Sequence, residues 1–228
     1  MSGEQTWPQP SMRRGPGRPP QVTQQTGRTT RETVVDVAVE LFAARGFHAT
    51  SVAELGQGAG LAPGALYHHI GSKEELLWQI LHTYTSEALA GARRIADAAG
   101  DPVDKLRDLI GFHVETIATH RREVLIQMRD AEALTGDRAV ELQEMRRRVQ
   151  DCWQAVLDQG HQASRIRSSD RVVVNSILAM VNMVATWYRP DRGDTPQSVA
   201  EQICAMVIDG LAIDHGRPTT RASGAGRR

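Results

Sequence analysis

The chain has 228 residues, of which 40% are hydrophobic. That is enough apolar material for one or two packed cores, yet no run approaches the roughly 18 apolar residues of a membrane-spanning helix. Lys plus Arg (27) balance Asp plus Glu (27), which excludes a uniformly basic nucleic-acid coat and moves attention to where the charges lie. The two cysteines, Cys152 and Cys204, are far apart and have no metal-ligand spacing. The N-terminus lacks the apolar segment of a signal peptide. These features lead to the expectation of a cytoplasmic protein with reduced thiols, no metal, no cofactor and no membrane partner.

Residues 1–27 are rich in Pro, Gly, Gln, Ser and Thr and have no apolar periodicity, so disorder is expected. Arg13, Arg14 and Arg18 lie here, in a stretch free of Asp and Glu that runs on through Arg28 and Arg31. The Gly17-Arg18-Pro19 core resembles peptides that lay an extended arginine segment in the narrow minor groove of A·T-rich DNA. A flexible basic leader that raises only nonspecific affinity is the alternative. Residues 215–228 form a second basic tail, also expected to be disordered.

A first helix is expected over Thr30–Arg45. Thr29-Thr30-Arg31-Glu32 is a capping box, Val34, Val35, Ala38, Leu41 and Phe42 make one apolar stripe, and Gly46 ends the helix. A second follows from Ser51 to Ala59, opened by Ser51-Val52-Ala53-Glu54, with Gly60 able to take the left-handed conformation that turns the chain. Pro63 suits the first turn of a third helix, Pro63–Ile70. Two short helices across a tight turn make a helix-turn-helix, whose second member enters the DNA major groove. Ser72-Lys73-Glu74-Glu75 opens a fourth helix reaching about Ala99. Lys73 is one of two lysines in the chain, and a cation in a first helical turn opposes the helix dipole. A phosphate partner for it is one reading; a solvated lysine beside Glu74 and Glu75 is the other.

The run Leu41–Leu77, LFAARGFHATSVAELGQGAGLAPGALYHHIGSKEELL, resembles the DNA-binding domain of the TetR family of bacterial transcription regulators. Gly46-Phe47, Thr50-Ser51, Gly60, Leu66-Tyr67-His68-His69 and Ser72-Lys73-Glu74-Glu75 all fall in that family's order and spacing. The resemblance implies that Pro63, Gly64, Ala65, Tyr67 and His68 face DNA. It also places Thr50, Ser51, Tyr67 and Lys73 at phosphates. Ala62 departs from the family, where Ser or Thr is common at this position and caps the third helix. Few of these groove-facing side chains make bidentate base contacts, so specificity is expected to lean on DNA shape and the arginine arm.

From there to about Gly210 only helices are expected: Pro102–Thr119, Arg122–Leu134, Asp137–Gln159, Asp170–Tyr188 and Pro196–Leu211. The fold is therefore all-α. Its expected units are a helix-turn-helix domain at 28–75 and a helical ligand-binding and dimerisation domain at 76–214. Asp170–Tyr188 is apolar around much of its circumference and must bury more than one face. The resemblance implies a homodimer through the last two helices, with paired helix-turn-helix units on a near-palindromic double-stranded operator.

Polar residues that interrupt apolar faces in the second domain are candidates for holding a small apolar ligand. They are His113, Gln127 and Asn175, with Asn182; Met128, Trp153, Met183 and Trp187 are candidate walls. Each of these also reads as plain core. Trp187-Tyr188-Arg189-Pro190 is similar to the end of the penultimate helix in TetR-type regulators of fatty-acid and sterol breakdown, several of which respond to acyl-CoA thioesters. The resemblance thus implies a repressor released by ligand. A ligand-independent DNA-binding protein is the main alternative. An enzyme using the helical pocket is another, though no nucleophile–base motif is present.

Overall fold

The computed structural model describes residues 29–212. The described residues form ten α-helices, two short 3₁₀ turns and one isolated bridge, Ile166 to Ala212. The basic segments at both ends, including Arg13, Arg14 and Arg18, lie outside the described residues.

The helices begin where local chemistry satisfies their free amides. α1 (Thr30–Arg45) and α2 (Val52–Gly58) open on complete capping boxes, Thr29 with Glu32 and Ser51 with Glu54. α3 (Pro63–Ile70) has Pro at its start and no side-chain cap at Ala62. α4 (Lys73–Asp97) is capped by Ser72. α5 (Pro102–Thr119), α6 (Arg121–Asp130) and α7 (Gly136–Gln162) follow, with a 3₁₀ turn at Ala131–Ala133 before α7. Gly46 and Gly60, with φ of 97° and 70°, end the α1 and α2 regions in a conformation that favours glycine.

The long apolar stretch expected as one helix, Asp170–Tyr188, is broken into α8 (Arg171–Asn182) and α9 (Val184–Trp187). The break is at Met183, whose carbonyl accepts both the amide of Thr186 (3.0 Å) and its hydroxyl (2.7 Å). Two i→i+3 bonds on one carbonyl tighten the turn out of α geometry. A 3₁₀ turn, Pro190–Arg192, leads to α10 (Pro196–Leu211).

Two cores divide the molecule, and α4 belongs to both. The first gathers Val34, Ala38 and Phe42 of α1, Leu55 of α2, Leu66 and Ile70 of α3, and Leu76, Leu77, Ile80 and Leu81 of α4. Ile126 of α6 and Leu142 of α7 complete it, so the first core runs past residue 75 to Leu81. The second begins at Tyr84 and is built by α4, α5 and α7–α10 around fully buried Trp153. At about 1.5 Å per residue, α4 spans roughly 37 Å and links the two rigidly.

Candidate nucleic-acid interface and effector cleft

α3 divides its residues by face. Leu66 and Ile70, four apart, are buried in the first core. Gly64, Tyr67 and His68, at i, i+3 and i+4, are exposed on the other side, Tyr67 by 55%. Ala65 is half-buried beside them. Pro63 begins the helix. Ser51 is exposed at the start of α2, where its hydroxyl accepts the Glu54 amide and bonds the Glu54 carboxylate at 2.8 Å. Those bonds from Ser51 hold the Glu54 carboxyl below its ordinary range, and Arg45 at 2.7 Å adds to the effect.

Two expected phosphate contacts are corrected. The Thr50 side chain is 1% exposed and its hydroxyl donates to the Gly46 carbonyl at 2.8 Å, so it closes the turn after α1 instead of facing outward. The Lys73 ammonium donates to the carbonyls of Phe47 and Thr50, both at 2.8 Å, and stands 4.2 Å from the Phe47 ring centroid. Desolvation lowers its pKa, against the attraction of Asp130. The cation that the α4 dipole disfavours is thus held by the turn before α2. One of its three donors is left over for solvent or a phosphate.

The same turn is gripped from its other side by a pair that sequence reasoning missed. Buried Asp130, the last residue of α6, accepts the Phe47 amide at 3.2 Å. Arg129 donates to Asp130 at 3.0–3.1 Å and to the Phe42 and Ala43 carbonyls at the end of α1. The only signal in sequence is an acid ending a short helix, which the helix dipole disfavours.

In the second core a cleft of about 600 Å³ opens between α4, α5, α6, α7 and α8. Tyr84, Thr85, His113, Gln127, Asn175 and Asn182 line it, and Arg146, Arg147 and Arg171 make it cationic. Three of the seven expected ligand residues, His113, Gln127 and Asn175, come together here. His113 Nε2 lies 3.0 Å from Asn182 Oδ1, which assigns the proton to Nε2. Burial lowers the His113 pKa, partly offset by that bond, so the ring is neutral at neutral pH. Gln127 Oε1 accepts the Thr85 hydroxyl at 2.9 Å, and Asn175 bonds Gln150. Burial, with Glu123 nearby, pushes the Tyr84 pKa up to about 12.

The other four expected ligand residues do not line the cleft. Trp153 lies behind His113, edge to face at 5.7 Å, fully buried and with Nε1 unpartnered within the protein. Met128 is exposed on α6. Met183 and Trp187 are about half exposed and continue a stripe begun by Val172 and Met180. Their spacings of 8, 3 and 4 keep one helical side. Met206 of α10 is exposed as well. Apolar character alone does not tell a cleft wall from an outer face.

A helix-turn-helix on one core, tied by a shared helix to a second core with a polar-lined cleft, is the architecture of a one-component DNA-binding regulator. Residues 34–80 match the model for bacterial regulatory proteins of the tetR family, and residues 99–211 the tetracyclin repressor-like C-terminal domain. The transcriptional repressor KstR2 of Rhodococcus jostii (strain RHA1) is 32% identical over 201 residues, covering 86% of this chain and 98% of its own length. The ketosteroid transcriptional regulator KstR2 of Mycobacterium tuberculosis superposes with a TM-score of 0.77 at 30% identity, over 83% of this chain and 98% of that one. AibR, solved in complex with isovaleryl coenzyme A and operator DNA, gives 0.71 at 26% identity, over 78% and 97%. The chain belongs to the TetR family: it is a DNA-binding transcription regulator and not an enzyme. Among the described residues no helix is long and apolar enough to cross a membrane.

Proposed function

We propose that the chain is a dimeric cytoplasmic repressor that holds a near-palindromic operator and releases it when a small, largely apolar ligand fills the α4–α8 cleft. An acyl-CoA thioester is the leading ligand class. The carrying observation is that Tyr84 and Thr85, on the helix whose first half stands in the DNA-binding core, line that cleft. A ligand there touches the element that orients α3.

Ser51, Pro63, Gly64, Ala65, Tyr67 and His68 are the proposed DNA contacts, with Lys73 giving its remaining donor to phosphate. Arg13, Arg14 and Arg18 are proposed to follow the minor groove. The arginines of the cleft suit the phosphates of coenzyme A, and AibR's complex with isovaleryl coenzyme A and operator DNA supports that class. KstR2, a repressor by name, supports the direction of control. The exposed Val172, Met180, Met183 and Trp187 stripe, with Met206, is the proposed dimer face.

The test is binding to a duplex selected from a random pool by the protein, followed by anisotropy with isovaleryl-, long-chain and polycyclic acyl-CoAs at fixed salt. Release by one class, about 5- to 150-fold in affinity, is the expected result. Specific binding indifferent to every thioester would leave a DNA-binding protein and overturn the ligand class.

A further inference from the structure

α6 is ten residues long and carries two different contacts within one turn. Gln127 is in the cleft, bonded to Thr85 of α4. Two and three residues later, Arg129 and Asp130 grip the turn that leads into the helix-turn-helix. At 1.5 Å per residue the cleft contact and the grip are only about 5 Å apart along the helix axis.

The grip is polar, nearly enclosed and made to backbone. Asp130 is 6% exposed and satisfies the Phe47 amide, while Arg129 satisfies carbonyls at the end of α1. The guanidinium also packs on Gly46, where an added Cβ would meet Arg129 Nε at 3.4 Å. From the opposite side Lys73 holds the Phe47 and Thr50 carbonyls. The turn from Gly46 to Thr50 is therefore fixed between α4 and α6, and any displacement of α6 reaches α2 through bonds of defined direction.

We infer that Arg129 and Asp130 are positioning residues for DNA recognition, and that α6 carries the state of the cleft to the helix-turn-helix directly, independently of the shared helix α4. This rests on the regulator reading above. Occupation of the cleft displaces Gln127, α6 shifts as a unit, and the Asp130–Phe47 and Arg129–α1 bonds pull the turn and α2 out of register with α3's groove.

The experiment uses the full chain and needs no identified ligand. Gln127→Trp places a bulky ring in the cleft as a wedge. Asp130→Ala and Arg129→Gln break the grip, the second remaining informative if the first fails to fold. Each is measured on a duplex selected by the wild type and on a scrambled duplex of equal length. Amide exchange is followed at Phe47–Thr50 and in α5 and α7.

Asp130→Ala and Arg129→Gln are expected to lower selected-duplex affinity about tenfold and leave scrambled-duplex affinity unchanged. Exchange should accelerate at Phe47–Thr50 and stay as it was in α5 and α7. The wedge should do the same in the wild type and add nothing in the Arg129→Gln background. A wedge equally effective in both backgrounds acts through α4 alone and overturns the proposal. So does an unchanged ratio of selected to scrambled affinity in a folded Arg129→Gln protein. If the wild type selects no duplex, the regulator reading fails, and the exchange data still decide whether the wedge reaches the turn through Arg129.

Discussion

The residues that most constrain the DNA-binding end are those closing the turn between α1 and α2. The Thr50 hydroxyl bonds the Gly46 carbonyl out of contact with solvent. Thr50→Val is expected to lower stability by about 1 kcal/mol in urea unfolding, and Thr50→Ser, which keeps the hydroxyl, to recover much of it. In the other core, His113 is held neutral. Its folded pKa lies below the ordinary value of 6.5, so between those two values the unfolded chain binds more protons. Stability from this group is present above the unfolded pKa and is lost as pH falls through about 6.5 toward the folded value. The urea midpoint is expected to drop between pH 7 and pH 5, and His113→Gln to drop less over the same range. Equal slopes for the two proteins would remove His113 as the cause.

At the scale of elements, helix starts were legible because their causes are local. The capping box at Thr29 and Glu32 and the Pro at position 102 sit within one turn of the ends they set, and α1 and α5 match their expected bounds. The break at Met183 was not legible, because a threonine three residues on reads as helix until its hydroxyl is seen to turn back. The Asp130–Phe47 bond joins residues 83 apart in sequence, and no periodicity reports it. Close helix approach is similarly hidden. Gly91 of α4 lets the Phe112 ring of α5 in so tightly that an added Cβ would lie 1.9 Å from Phe112 Cζ. Gly91→Ala is expected to cost about 1–3 kcal/mol in thermal or urea unfolding. Adding Phe112→Leu should return part of it, since the two changes share one contact. A tolerated Gly91→Ala alone would show that α4 and α5 slide freely.

For the whole molecule, the sequence showed two helical units and a DNA-reading end, while the way they share α4 and α6 appeared only in three dimensions. His113, Gln127 and Asn175 were recognisable as polar interruptions of apolar faces, and they do line one cleft. Met128, Met183 and Trp187 were not separable from cleft walls, because an apolar side chain carries no mark of what will cover it. The exposed stripe of α8 and α9 is expected to be buried against a second copy. Sedimentation should find the wild type dimeric and Trp187→Glu shifted toward monomer, with weaker binding to a two-half-site duplex. A Trp187→Glu protein that stays fully dimeric would place the interface elsewhere.

The measurement that bears most directly on α3 as the reading element is the sequence preference of a Tyr67→Ala, His68→Ala protein, compared with the wild type on selected and scrambled duplexes at two salt concentrations. Both side chains are exposed and outside the core, so folding should be intact. The expected result is a loss of selected-duplex affinity of about 1–3 kcal/mol for each base contact removed, with scrambled-duplex binding and its salt dependence preserved. Undiminished preference in that variant would mean that α3 does not read the operator.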